Sequence, residues 1–203
     1  MILGAHVIIS AYGFWLPNEP RGSWSDFVRS WDLYRFGPAT KVDTHRSVAK
    51  RPYDRVKRRQ MIEALDHDPV LFTGKQALAI AHGFSDESRH SGCVIHACAV
   101  LPDHCHLVIA RHGYDFDKLI NRLKGSATRK LREYGIHPFA DHPYRDGKLP
   151  SPWGHKWWKV YLDSDSDIVR ASKYVEDNPL KERKKKQQWK FVFPHQTQLE
   201  QMD

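Results

Sequence analysis

Cysteine is scarce, with three in 203 residues. An odd and small number argues against a secreted disulfide framework. No apolar run approaches the ~20 residues a membrane-spanning helix needs. The opening MILGAHVII has neither a basic segment nor a small-residue cleavage site, so no signal peptide is expected. Acidic residues are the minority: 24 Asp+Glu against 32 Lys+Arg leave a formal charge of +8 with histidine neutral. Wholesale disorder is excluded by 40% hydrophobic and 12% aromatic residues. What is left is a basic, single-core protein, expected in the cytoplasm without a membrane partner, for which a polyanion is the first partner to consider. Thirteen histidines direct attention to metal or acid–base chemistry.

Residues 6–15 (HVIISAYGFW) are β-branched and aromatic and predict a strand. Residues 17–72 read as an insertion or lid, with Pro17, Pro20, Pro38 and Pro52 and no sustained period until a helix over 54–66. Thr73 and Gln76 form a capping box ahead of a helix of four turns at most, closing near Gly92. Residues 93–101 and 104–111 predict a hairpin turning at Pro102-Asp103. In residues 116–134, Ile120, Leu123, Ala127, Leu131 and Tyr134 step by three or four, which predicts a helix closed by Gly135. A strand over 157–162 and a helix over 168–177, stopped by Asn178-Pro179, complete the core. The order predicts an α+β fold: a ferredoxin-like βαββαβ antiparallel sheet with helices on one face and an extra C-terminal helix. One domain spans 1–180, and 181–203 is a basic tail whose stretch 181–190 carries six positive charges and one negative.

His104-Cys105-His106 is the sharpest local signal. On a strand, residues i and i+2 share a face, so the two imidazoles project together and Cys105 points the other way. Cys105, Leu107 and Ile109 form the more apolar face, expected against the helices. Two histidines so spaced suit one divalent cation; they equally suit an ordinary polar outer face. Tyr174 and Asn178 stand at i and i+4, on one side of a helix if the helix persists to Asn178. Cys93, His96 and Cys98 invite a zinc reading. Strand alternation sets Cys93 opposite the other two, so they cannot converge without a bulge.

LPDHCHLV (101–108) followed by YVEDNP (174–179) resembles the single-tyrosine HUH transposases. These are the small transposases of simple insertion sequences and the REP-associated tyrosine transposases. The resemblance covers about residues 5–16 and 73–180, and includes a weaker likeness at Gly13-Phe-Trp-Leu-Pro17 and Pro20-Arg-Gly22. It implies a ferredoxin-like fold, Tyr174 as nucleophile, and His104, His106 and Asn178 as ligands of Mg²⁺ or Mn²⁺. The implied activity is cutting and rejoining single-stranded or hairpin DNA through a 5′-phosphotyrosine. It leaves open a homodimer, in which Tyr174 serves either its own histidine pair or a partner copy's. Asp103 is either an orienting partner of a histidine or a turn residue, and Glu176 and Asp177 read as solvated charges.

Arg122, Lys124, Arg129 and Lys130 on the long helix, with Lys184, Lys185 and Lys186 in the tail, suit phosphate contacts on DNA. Any one of them is also an ordinary solvated charge. The loop tryptophans, among them Trp15, Trp24, Trp31, Trp153, Trp157 and Trp158, suit either packing or base stacking. Two other functions fit the same residues: a non-catalytic nucleic-acid-binding module, and a metal nuclease that activates water. Covalent capture of DNA separates the first reading from both.

Overall fold

The structure, a computed structural model, describes residues 1–17, 31–37 and 54–195. The chain forms, in order, β1 Gly4–Ala11, α1 Trp31–Tyr34, α2 Arg55–Glu63, α3 Gly74–Ser91, β2 Ile95–Val100, β3 His104–Ala110, α4 Phe116–Glu133, β4 Trp153–Leu162 and α5 Asp165–Lys181. The four strands make one antiparallel sheet in the order β2-β3-β1-β4. This is the βαββαβ arrangement of the α+β class that the element order predicts. Of the insertion, residues 18–30 and 38–53 lie outside the described residues. What is described packs a small core of Leu16, Leu33 and Met61 with Phe36 and Ile62 beside it.

Strand alternation builds the main core. Ala5, Val7 and Ile9 of β1 and Cys105, Leu107 and Ile109 of β3 are all fully buried on one face. Phe84 of α3 and Leu119 and Leu123 of α4 cover them. Each such Leu, Ile or Phe contributes about 1.5–3 kcal/mol by leaving water. The two helices meet backbone to backbone: a Cβ on Gly83 would run into the main chain of Ala127. The Thr73–Gln76 capping box is present, and Gly92 ends α3 in the left-handed region at φ 73°. The helix is longer than the four turns expected: its 18 residues make about five turns.

Three boundaries differ most from those predicted. β1 stops at Ala11 because Gly13 (φ 77°) turns the chain and drives Phe14 and Leu16 into the interior. β4 starts at Trp153, paired with Ala11, where the bare Cα of Gly154 admits Ser10. α5 passes through Pro179 instead of stopping before it. So near the C-terminus, proline costs one backbone bond, and the turn still closes. Glu182 and Lys184 donate to the Pro179 carbonyl at 3.1 and 2.8 Å, and Arg183 takes φ 58°.

α5 covers the other face of the sheet. Ser164 caps it by accepting from the Asp167 amide. Its Ile168 and Val175 pack on Ala97, Ala99 and Val108; the two alanines on β2 leave room for the helix. After α5 the chain runs along the outer edge of β2. Gln187 accepts from the Val100 amide (2.7 Å) and donates to its carbonyl (2.8 Å), and the Phe193 amide donates to Ile95. An edge strand is thereby covered, and Phe191 is buried in the main core.

Candidate active site

The face of the sheet under α5 holds the polar half of the alternation. His6 and Ser10 of β1 and His104 and His106 of β3 are all buried there. The two imidazoles of β3 face each other with Nε2 atoms 2.9 Å apart. Asn178, buried on α5, sets its side-chain nitrogen 3.1 Å from His106 Nε2. Tyr174 lies one turn earlier on α5 and is 46% exposed. Its ring stands edge-on to both His106 and His6, with centroids 5.7 Å away in each case. Thus one helix turn and one strand dipeptide step bring His104, His106, Tyr174 and Asn178 to one place.

Each histidine is held from behind. The Nδ1–H of His104 donates to Asp103 at 2.6 Å, and Phe14 stacks on the ring at 5.0 Å. His106 Nδ1 meets His6 Nε2 at 3.0 Å, and those rings stack at 5.3 Å. Burial pulls the His6 pKa down to about 4. Burial also holds His106 well below its usual value, helped by the neighbouring His104, His6 and Lys181. Both rings are therefore neutral at pH 7, and a neutral imidazole keeps one nitrogen lone pair free to bind a cation.

The residues fit a divalent ion. Adjacent ligands of an octahedral ion at about 2.1 Å lie roughly 3 Å apart, the separation of the two Nε2 atoms. The Asn178 amide would present its oxygen after a half-turn of the side chain, which changes its shape hardly at all. A second grouping, Asp103, His104 and exposed Glu182, also brings three ligand atoms within 4.8 Å of one another.

Residues 67–178, more than half of the chain, match the model of the family described as transposase, IS200-like. The chain belongs to the IS200-like transposase family. The matched stretch contains His104, His106, Tyr174 and, as its last residue, Asn178. Among solved structures, the transposase resembles a REP-associated tyrosine transposase bound to a REP hairpin. Identity is 14%, over 90% of this chain and 70% of that one, with a TM-score of 0.45. It also resembles a chain from Deinococcus radiodurans R1 named for a suspected transposase role. There the identity is 15%, over 87% of this chain and 91% of that one, with a TM-score of 0.39. At those scores neither likeness bears on the chemistry of this chain. No curated protein matches.

The basic residues of the transposase fall elsewhere. Arg122 and Arg129 line a cleft of about 850 Å³ between α3 and α4, across the sheet from Tyr174. Arg122 donates to buried Glu87 at 2.5 Å. Lys130 bridges Asp86 and Glu133 at 3.0 and 2.8 Å. Lys124 donates to the Gly154 carbonyl at 2.9 Å, and burial lowers its pKa to about 8. Lys184, Lys185 and Lys186 are exposed just beyond α5, with Lys186 2.9 Å from Asp177. In the cysteine region a bulge between Ile95 and Ala97 is present. It puts Cys98 in the same core as Cys93, while His96 pairs with the Phe193 carbonyl at 2.9 Å. Among the described residues these three form no metal-ligand group.

Three neighbours of the site were not legible as such. Lys181 places its ammonium 3.9 Å from the centre of the Tyr174 ring. Phe14 sits beyond the end of β1. His6 is a polar residue in a largely apolar strand. The signal for His6 was available: in this sheet order β1 lies beside β3, and His6 alternates with Ala5 and Val7.

Proposed function

We propose that this transposase cuts and rejoins single-stranded or hairpin DNA, with Tyr174 as nucleophile. The observation that carries the reading is the position of the half-exposed Tyr174 ring over the buried His106–His6 pair, on the same helix as Asn178. The phenol oxygen attacks the scissile phosphorus, and the bond from phosphorus to the 3′ oxygen breaks. The products are a 5′-phosphotyrosine and a free 3′-hydroxyl; attack by a 3′-hydroxyl reverses the step without loss of bond energy.

His104, His106 and Asn178 would hold Mg²⁺ or Mn²⁺. Bound there, such an ion supplies polarisation of a phosphate oxygen and stabilises the charge that develops on it. Asp103 keeps the His104 proton on Nδ1 and so keeps Nε2 open. Lys181, over the Tyr174 ring, adds positive charge where a phosphate must approach. Val175, on α5 beside Tyr174, packs on the sheet and fixes the helix that carries the nucleophile. Tyr174 faces the histidines of its own chain, which supports cleavage within one copy.

DNA contacts divide between two surfaces. Lys184, Lys185 and Lys186 flank the site as the start of a basic tail on the 1–180 catalytic unit. Arg122, Lys124, Arg129 and Lys130 would serve a separate stretch of DNA across the molecule, after exchanging their internal partners for phosphates. Such a protein acts on DNA in the cytoplasm, and among the described residues no helix is long and apolar enough to cross a membrane.

The test is covalent capture. Incubation with Mg²⁺ or Mn²⁺ and single-stranded substrate containing the target should yield a denaturation-resistant adduct. Mass spectrometry should find it on Tyr174, and Tyr174→Phe should abolish it while leaving DNA binding intact. Linkage to another residue, or efficient cleavage by Tyr174→Phe, would replace this reading by hydrolysis with water. Mixing Tyr174→Phe with His106→Ala chains should not restore the adduct; restoration would show a tyrosine serving a partner copy.

A further inference from the structure

We infer that His6 is a positioning residue for His106, the buried acceptor that keeps the His106 proton on Nδ1 and leaves Nε2 to the cation. The inference rests on the metal reading of the site above. His6 meets the back of the ligating ring: its Nε2 lies 3.0 Å from His106 Nδ1, and its ring stacks on the ring it serves. A neutral imidazole has one protonated nitrogen and one lone pair. If His106 Nε2 is to bind an ion, its proton must sit on Nδ1, and a buried N–H needs an acceptor. His6 Nε2 stands where that acceptor is needed. His6 itself is buried in an uncharged setting, between the edge of Trp158 at 5.2 Å and the edge of Tyr174 at 5.7 Å.

The arrangement mirrors the other ligand. Asp103 takes the Nδ1 proton of His104 at 2.6 Å. The two histidines are thus fixed by different chemistry: an acid on the half-open side and an imidazole on the buried side. The choice follows from place. A carboxylate at the His6 position would be a buried charge whenever no ion is bound, which is costly, whereas a neutral imidazole accepts without carrying charge. The β1–β3 pairing delivers it, since His6 lies opposite Val108 and one diagonal step from His106. His6 also touches the Tyr174 ring, so the same side chain orients the histidine and supports the nucleophile's ring.

The experiment compares the full-length chain with His6→Leu and His6→Gln. Leucine keeps the apolar bulk and removes the acceptor; glutamine offers Oε1 near the place of Nε2. The first probe is Mn²⁺ alone, titrated by electron paramagnetic resonance without DNA. His6→Leu should bind Mn²⁺ about 10- to 100-fold more weakly, the usual loss when the partner behind a ligating histidine is removed. His6→Gln should recover most of that loss, a rescue that a purely space-filling role would not give. The second readout is ¹⁵N imidazole NMR of the wild-type chain saturated with Mg²⁺. It should show the His106 proton on Nδ1, coupled across the hydrogen bond to His6 Nε2.

Equal Mn²⁺ affinity of wild type and His6→Leu, or glutamine no better than leucine, would overturn the inference and leave the metal reading standing. A wild-type chain that takes up neither ion would overturn both. Should His6→Leu fail to fold, the comparison of His6→Gln with wild type and the location of the proton still decide: a proton on Nε2 of His106 in the Mg²⁺ form refutes the role.

Discussion

The two faces of the sheet are built from the same strands and are both largely buried, yet they have opposite chemistry. Toward α3 and α4, β1 and β3 present Ala5, Val7, Ile9, Cys105, Leu107 and Ile109. Toward α5, the alternate positions present His6, Ser10, His104 and His106, each less than a tenth exposed. The first face is favourable by burial alone. The second is tolerable only because each imidazole has a partner and the deepest two are neutral. On this face apolar packing gives way to a hydrogen-bonded polar cluster. The covering helices differ accordingly: α3 and α4 bring leucine and phenylalanine, while α5 brings Tyr174 and Asn178 beside Ile168 and Val175.

The sharpest way to break the comparison is one substitution on each face of β3. Leu107→Ala should cost about 2–5 kcal/mol of stability, read by urea unfolding. Adduct formation per folded molecule should change little. His106→Ala should do the reverse: adduct formation stops, while stability falls by only about 1–2 kcal/mol as its neighbours lose hydrogen bonds. A large stability loss for His106→Ala with activity retained would show that the polar face is structural.

Acid should find the α5 face first. Folding depresses the His6 pKa from 6.5 to about 4, so the unfolded chain binds the proton and the folded chain does not. Stability is therefore full above about pH 6.5 and declines as pH falls toward 4. The loss approaches about 3 kcal/mol from this residue, and His106 acts in the same direction. His104, Tyr174 and Lys181 face the same site, and the ammonium of Lys181 reinforces the effect. Urea unfolding in EDTA across that range should show the loss in wild type and a smaller one in His6→Gln.

Smaller effects sharpen the boundary between the faces. Gln187→Ala uncovers both polar groups of Val100 at the β2 edge and should cost about 1 kcal/mol in unfolding, with no change in adduct formation. Lys181→Met removes the cation from the Tyr174 ring, an interaction of about 0.5–1 kcal/mol at an exposed site. Adduct formation should slow about 2- to 5-fold, and Lys181→Arg should retain most of the rate.

What could be read from the chain alone follows from short-range rules. Strand alternation put His104 and His106 on one face and Cys105, Leu107 and Ile109 on the other, and the element order gave the sheet its class. The Thr73–Gln76 box and the glycines at 92 and 135 marked helix ends, because caps are local chemistry. The i, i+4 spacing paired Tyr174 with Asn178. What only the tertiary structure decided depends on contacts distant in sequence. His6 became a partner of His106 because β1 is inserted between β3 and β4. α5 ran on through Pro179 because its turn closes on carbonyls that remained available and its buried face holds it to the sheet. The basic side chains of α4 were set across the molecule from Tyr174, since the amphipathic stripe that buries Leu119, Leu123 and Leu131 fixes where their charged neighbours point. Residues 187–193 joined the β2 edge because an open strand offers unpaired amides and carbonyls, and the nearest chain able to satisfy them was the one leaving α5.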